Sequence, residues 1–163
     1  MRPPSTQALT AAQFSRLIAL SERLLHAWVS TSDSSDAVAM KLAALAEFGL
    51  TALIQNSFGH RIDGQRLARA QRAVRYIYER TQLQLGATGT NRIRLCRGLK
   101  TREFVSGGIQ SWTTDLSVAV RFDGYEVLEE QIPAGRVLAF HLGPLWPAGV
   151  FAEEAEYIVL AQR

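Results

Sequence analysis

Between Gly86 and Thr90 the hydrophobic period of this chain changes, and that change constrains the fold more than any other feature. Before it, apolar residues recur every three or four positions, as on amphipathic helices. After it they alternate, or run in short β-branched blocks separated by glycine and proline. Helices therefore come first and strands second. This segregation predicts an α+β domain with an antiparallel-rich sheet, not alternating βαβ units, and no Gly-x-Gly-x-x-Gly follows a strand.

The helical part, about residues 8–84, divides into three. From about Leu9 to Val29, residues Phe14, Leu17, Ile18, Leu24, Leu25 and Trp28 form one apolar stripe, with His26 on its flank and Trp28 read as core. Ser30 to Asp36 is a loop in which Ser35 or Asp36 is expected to cap the next helix. That helix, about Ala37 to Phe48, is apolar nearly all round and is expected to be buried. Gly49 ends it, or it runs on through Leu53 and Ile54 before Asn56 and Gly59 close the segment. The third helix, about Asp63 to Leu83, turns Leu67, Ala70, Val74 and Ile77 inward. Its Arg66, Arg69, Arg72 and Arg75 precess by about 60° per step, spread over half the surface, and read as mostly solvated.

The strand-rich part, about residues 91–163, opens with Arg92 to Leu99. Counting by twos puts Ile93, Leu95 and Arg97 on one face. Arg97 thus continues an apolar row, where a guanidinium needs an anion, and Gly98 beside it lets a ligand approach the backbone. The competing reading is a strand-end arginine turned to water. Ser111 and Thr113 share a face of the next strand. Thr114 or Asp115 caps a short helix that Leu116, Ala119 and Val120 pack against the sheet, and Gly124 stops it. Strands from Tyr125 to Ile132 and from Arg136 to Leu142 flank a turn at Pro133-Ala134-Gly135. A loop from Gly143 to Gly149, carrying Trp146, leads to the last strand.

That strand carries Glu154-Ala155-Glu156 ahead of Tyr157-Ile158-Val159-Leu160. In extended backbone Glu154 and Glu156 point to one side with Ile158 and Leu160, whereas on a helix they would diverge by roughly 200°. Two carboxylates on an apolar row cost energy through repulsion and desolvation, which marks the pair as a candidate site. The alternative is a solvated edge strand with gatekeeper charges.

With 163 residues, 47% hydrophobic and 20% charged, the chain suits one domain spanning residues 1–163. No run approaches the ~20 apolar residues of a membrane span, and Met1 to Ser5 lack the apolar core of a signal peptide, so a cytoplasmic protein without membrane contact is expected. The lone cysteine, Cys96, excludes an internal disulfide, and the scattered His26, His60 and His141 make a metal site unexpected. The net charge of +3 is uneven. The stretch from His60 to Arg80 is basic and that from Arg121 to Arg163 acidic. This suits an anionic small ligand or charged partner, although a solvated face is the commoner origin.

Three pieces in order, Leu95-Cys96-Arg97-Gly98-Leu99, then Ser111-Trp112-Thr113 with Ala119 and Phe122 behind it, then Glu154-Ala155-Glu156-Tyr157-Ile158, resemble the arginine, serine and glutamate branch of the mono-ADP-ribosyltransferases, which includes bacterial toxins and phage enzymes. The branch's usual Ser-Thr-Ser is relaxed here to Ser-Trp-Thr. A literal Ser-Thr-Ser at Ser30 to Ser32 precedes the arginine strand and is a decoy. The resemblance covers roughly Arg92 to Leu160. It implies a sheet core of the ADP-ribosyltransferase type, with NAD as co-substrate and no metal. Glu156 would bind the ribose 2′-hydroxyl and stabilise oxocarbenium-like charge, Ser111 would orient Glu156, and Arg97 would hold the NAD phosphates. Gly98 and Thr113 complete the implied NAD-binding set. Glu154 would position or deprotonate the acceptor, and a glutamate there is associated with protein arginine.

The acceptor is expected to meet the loop from Gly143 to Glu153, where Trp146 and Phe151 are candidates to stack on it or simply to pack. Other readings are an NAD glycohydrolase on the same fold, a transferase acting on nucleic acid, and a catalytically silent module gripping nucleic acid through Arg66 to Arg75. The last is disfavoured by the lack of interleaved aromatics. A phage enzyme, a delivered effector acting in a host cell, or a toxin with a neutralising antitoxin or immunity protein all fit such a domain.

Overall fold

The computed structural model describes residues 8–30, 34–50, 61–99, 108–122 and 126–161. Helices α1 (Ala11–Ser30), α2 (Ser35–Phe48) and α3 (Gly64–Ala87) precede strands β1 (Arg92–Leu99) and β2 (Ile109–Thr113), then helix α4 (Leu116–Phe122) and strands β3 (Glu126–Pro133), β4 (Val137–Phe140) and β5 (Glu156–Leu160). The strands form one antiparallel sheet in the order β3-β1-β2-β5-β4. Helices first and sheet second is the α+β architecture that the period change predicts.

Local chemistry sets the helix ends. The Ser34 side chain, not Ser35 or Asp36, accepts the Ala37 amide at 3.1 Å. Gly49, at φ 60°, ends α2 in a left-handed cap, a conformation that costs glycine nothing. The alternative extension through Leu53 and Ile54 falls outside the described residues, as do Thr31, Ser32 and Gly124. Asp63 caps α3 by accepting the Arg66 amide at 2.8 Å. The helix then runs past Leu83 to Ala87, where the Thr88 hydroxyl donates to the Leu85 carbonyl at 2.9 Å. Two of its arginines are not merely solvated. Arg66 reaches Asp36 at 2.8 Å and Arg75 reaches Glu47 at 2.6 Å, tying α3 to α2.

The sheet buries both faces, and strand parity, interrupted by an irregularity between Val137 and Ala139 of β4, sorts its residues between two cores. Ile109, Ile158, Leu138 and Leu160 pack on one side against Leu24, Leu25, Met40, Val74 and Ile77 of the helices. Leu95, Trp112, Ile132, Val137, Phe140, Tyr157 and Val159 form the other core with Leu85. β5 lies between β2 and β4, and all its residues are buried. A strand covered on both faces reads as a continuous apolar run, as Tyr157 to Leu160 does.

Two expectations about local geometry are corrected here. Val118 and Ala119 turn α4 inward, while Leu116 and Val120 are exposed. Asp115 caps this helix of only 7 residues, its Oδ1 accepting the Ser117 amide at 2.8 Å, and α4 packs Val118 and Ala119 against the cleft wall. Glu154 is not on a strand. It closes the 3-10 turn Ala152–Glu154, and Ala155 at φ 46° separates it from β5, which begins at Glu156.

Candidate active site

A cleft of about 290 Å³ opens beside the middle of the sheet, lined by Arg97 and Gly98 of β1, Ser111 and Thr113 of β2, Glu154, and Glu156 of β5. Trp28 and Val29 of α1, Cys96, Trp112, Val118 and Ala119 complete the wall. Six residues singled out from the sequence therefore converge, although more than fifty positions separate the first from the last.

The β2–β5 ladder builds the floor. Thr113 pairs with Glu156 and Ser111 with Ile158, so Ser111, Thr113 and Glu156 lie on one face, with Ser111 diagonal to the glutamate. The Ser111 hydroxyl donates to Glu156 Oε1 at 2.6 Å, a short bond typical of a hydroxyl meeting a carboxylate. The Thr113 hydroxyl donates to the Glu154 backbone carbonyl at 2.7 Å and accepts the Asp115 amide at 3.0 Å. Thr113 thus secures the turn that presents Glu154 and the start of α4 together.

Arg97 does not share the Glu156 face by strand parity. Cys96 faces Thr113 across the β1–β2 junction, so Cys96 shares the Glu156 face and Arg97 belongs by parity to the alternate row. Among the described residues β1 and β2 meet only at this pair. Arg97 and Gly98, next along β1, line the cleft.

Glu156 is only 8% exposed. Burial, as the largest influence, pushes its carboxyl above the ordinary carboxylate range. The Ser111 hydrogen bond pulls it down, the nearby Glu154 charge pushes it up, and a weaker hydrogen bond from the Trp28 side chain pulls it down again. Glu154 is also raised, first by burial and then by Glu153, against the pull of Arg121. Two carboxyls held above their usual range at one cleft mark it as a candidate site. Burial, followed by the Glu129 carboxylate, raises the Cys96 thiol. That cysteine is buried and unsuited to act as a nucleophile.

Trp146 does not reach the cleft. It packs partly buried against the helix-facing core, its indole Nε1 buried without a hydrogen-bond partner among the described residues. Phe151 stands exposed at φ 45° immediately before the Glu154 turn and does not line the cleft either. Trp28, read as core, does pack partly buried against the helix-facing core, and it lines the cleft as well. Its place on the stripe marks the buried face, and nothing in the stripe announces the second role in the cleft wall.

Among the described residues no group of three or more His, Cys, Asp or Glu is placed to hold a metal ion, and no helix is long and apolar enough to cross a membrane. Comparisons with protein-family models, with curated proteins and with solved structures find no match to this chain.

Proposed function

We propose that this chain is an NAD-dependent mono-ADP-ribosyltransferase whose acceptor is a protein arginine. The observation that carries the reading is the buried Glu156 carboxylate, held at 2.6 Å by Ser111 in a cleft bordered by Arg97, Gly98 and Glu154. A carboxylate fixed in a water-poor cleft stabilises positive charge far better than one in solution. An arginine at the mouth suits a pyrophosphate, and the cleft volume suits one nucleotide half of NAD.

In the proposed reaction nicotinamide leaves with the electron pair of the bond to ribose C1′. Glu156 faces the resulting oxocarbenium-like charge, and a guanidine nitrogen of the acceptor bonds to C1′ and gives up a proton. Glu154 is the base for that proton. Its raised affinity for protons suits the role, because a carboxylate in the ordinary range is a poor base near neutral pH.

Incubation of a host lysate with NAD labelled in its adenylate part, followed by mass spectrometry, tests the reading against Glu156→Gln. Labelled arginine in protein, lost in the variant, is the expected result. Free ADP-ribose alone reassigns the chain to NAD hydrolysis, labelled nucleic acid changes the acceptor, and neither product ends the reading.

A further inference from the structure

We infer that a second groove, formed among α1, α2 and α3, is a docking site for a protein segment that combines carboxylates with aliphatic side chains. The inference stands apart from the proposed reaction. This groove of about 410 Å³ shares no lining residue with the cleft around Glu156.

Charge is the first observation. Arg16 and Arg23 of α1 and Arg66 and Arg69 of α3 line the groove, and Asp36 of α2 is the one acid in its lining. Four arginines less one aspartate give +3, which is also the formal net charge of the whole chain, so all charges outside the groove sum to zero. Asp36 is shared. Arg23 lies 3.1 Å from its Oδ2 and Arg66 2.8 Å from its Oδ1, and Arg66 also donates to the Ser35 hydroxyl at 2.9 Å. Arg16 and Arg69 are exposed and make no ion pair among the described residues, whereas Arg75, further along α3, has an acid of its own in Glu47 at 2.6 Å.

The order of the arginines makes a track. Arg23 and Arg66 meet at Asp36, the Ser21 hydroxyl approaches the Ala73 carbonyl at 3.5 Å, and Phe14 meets Tyr76 edge to face with ring centroids 5.7 Å apart, so α1 and α3 run antiparallel. Between the Asp36 end and the Phe14–Tyr76 contact, α1 carries Arg16 and α3 carries Arg69. The Asp36 carboxylate, gripped from both helices, shows how this groove holds an acid. Arg16 and Arg69 offer the same planar forks to a second one.

The rest of the lining selects among anions. It is aliphatic, with Ala19 and Leu20 of α1 beside the buried Leu24, Ala39 and Ala70, and it contains no aromatic ring. Nucleotides and single-stranded nucleic acid bind through stacking as well as charge, and this groove has no ring to stack on. A bare phosphate chain or a duplex backbone has no apolar group to bury against Leu20. A peptide with aspartate or glutamate next to leucine, isoleucine or valine satisfies both parts of the groove, its carboxylates on the arginines and its aliphatic groups between them.

A random peptide display library panned on the full chain, after depletion on the double variant Arg16→Gln/Arg69→Gln, tests the inference. Enriched peptides are expected to combine acidic with aliphatic residues. One of them, synthesised with a fluorescein label, should bind the double variant more weakly than the parent chain by on the order of 10-fold, read by fluorescence polarisation, as two partly exposed charged contacts are lost. Arg72→Gln/Arg80→Gln removes the same charge from exposed positions of α3 outside the groove and should leave the affinity unchanged. Replacing the aliphatic residues of the peptide by serine should weaken binding. A library that yields no peptide dependent on Arg16 and Arg69 overturns the inference, as does equal weakening in the two double variants or binding that survives the serine replacements. A fluorescein-labelled DNA strand or duplex that binds more tightly than the peptide, with the same dependence on Arg16 and Arg69, makes the groove a nucleic-acid site and overturns the inference too. Should Arg16→Gln/Arg69→Gln not fold, the guanidinium 15N–1H resonances of Arg16 and Arg69 in the parent chain must shift when the peptide is added, and unmoved resonances overturn the inference equally.

Discussion

Glu156→Gln is predicted to make the protein more stable near neutral pH while abolishing its chemistry. The parent carboxylate is 8% exposed, and a like-charged Glu154 stands nearby. The amide keeps size and an acceptor for the Ser111 hydroxyl but removes the buried charge. Replacing such a charge by a neutral group of similar volume stabilises by about 1–2 kcal/mol, which is about 3–6 °C in Tm for a chain of this size. The pH dependence follows from the direction of the shift. A folded-state carboxyl raised above the ordinary 4.5 binds more protons than in the unfolded chain, so its presence lowers stability as pH climbs from that value through the folded midpoint. The advantage of the variant should therefore be largest above that midpoint and vanish below about pH 4. Urea and thermal unfolding by circular dichroism at pH 4 and pH 7.5 measure it. A variant less stable than the parent at pH 7.5 would refute the reasoning, since it would mean that the carboxylate completes an ionic pair in the fold.

Glu154→Gln should lose transfer to an arginine acceptor and largely keep hydrolysis of NAD by water, whereas Glu156→Gln should depress both by ~10²-fold or more, measured as nicotinamide release with and without acceptor. Equal loss of hydrolysis in both would mean that the glutamates act as one dyad. Ser111→Ala removes the 2.6 Å bond to Glu156, so the Glu156 midpoint should rise and nicotinamide release at neutral pH should fall by about 10-fold. Asp63→Ala removes the cap of α3 and should cost about 1 kcal/mol, read as a Tm lower by about 2–4 °C with unchanged activity. Cys96, buried and with its thiol raised, should react with iodoacetamide at pH 7 far more slowly than free cysteine does, and Glu129→Gln should speed that reaction.

How much of this was legible in the sequence depends on whether a feature is local. The helix-then-sheet order and the limits of β1 follow from period and residue type and stand in the structure as read, and of the two ends offered for α2 the structure has the one at Gly49. Arg97, Ser111 and Glu156, far apart in sequence, all line one cleft. Arg97 lines the cleft although it stands on the alternate row of β1 from Cys96, which faces Thr113. Glu154 misled because glutamate, alanine and glutamate ahead of a β-branched run look extended, and nothing local announces a left-handed alanine. Leu116 and Val120 misled because the apolar count of a two-turn helix does not say which side faces inward. Trp28 packs as core as read, but its place in the cleft wall was not legible, because an apolar stripe says which face is buried and not what lies against it.

The left-handed Ala155 has a bearing on how this chain tolerates change. A residue with a Cβ at φ 46° sits about 1–2 kcal/mol above its relaxed state, and glycine would remove most of that strain. A screen that selects for thermal resilience alone should thus enrich Ala155→Gly. The same substitution slackens the joint whose Glu154 carbonyl receives the Thr113 hydroxyl, and with it the aim of the Glu154 carboxylate. Robustness and turnover would pull position 155 in opposite directions, and a library sorted separately for each should diverge there first.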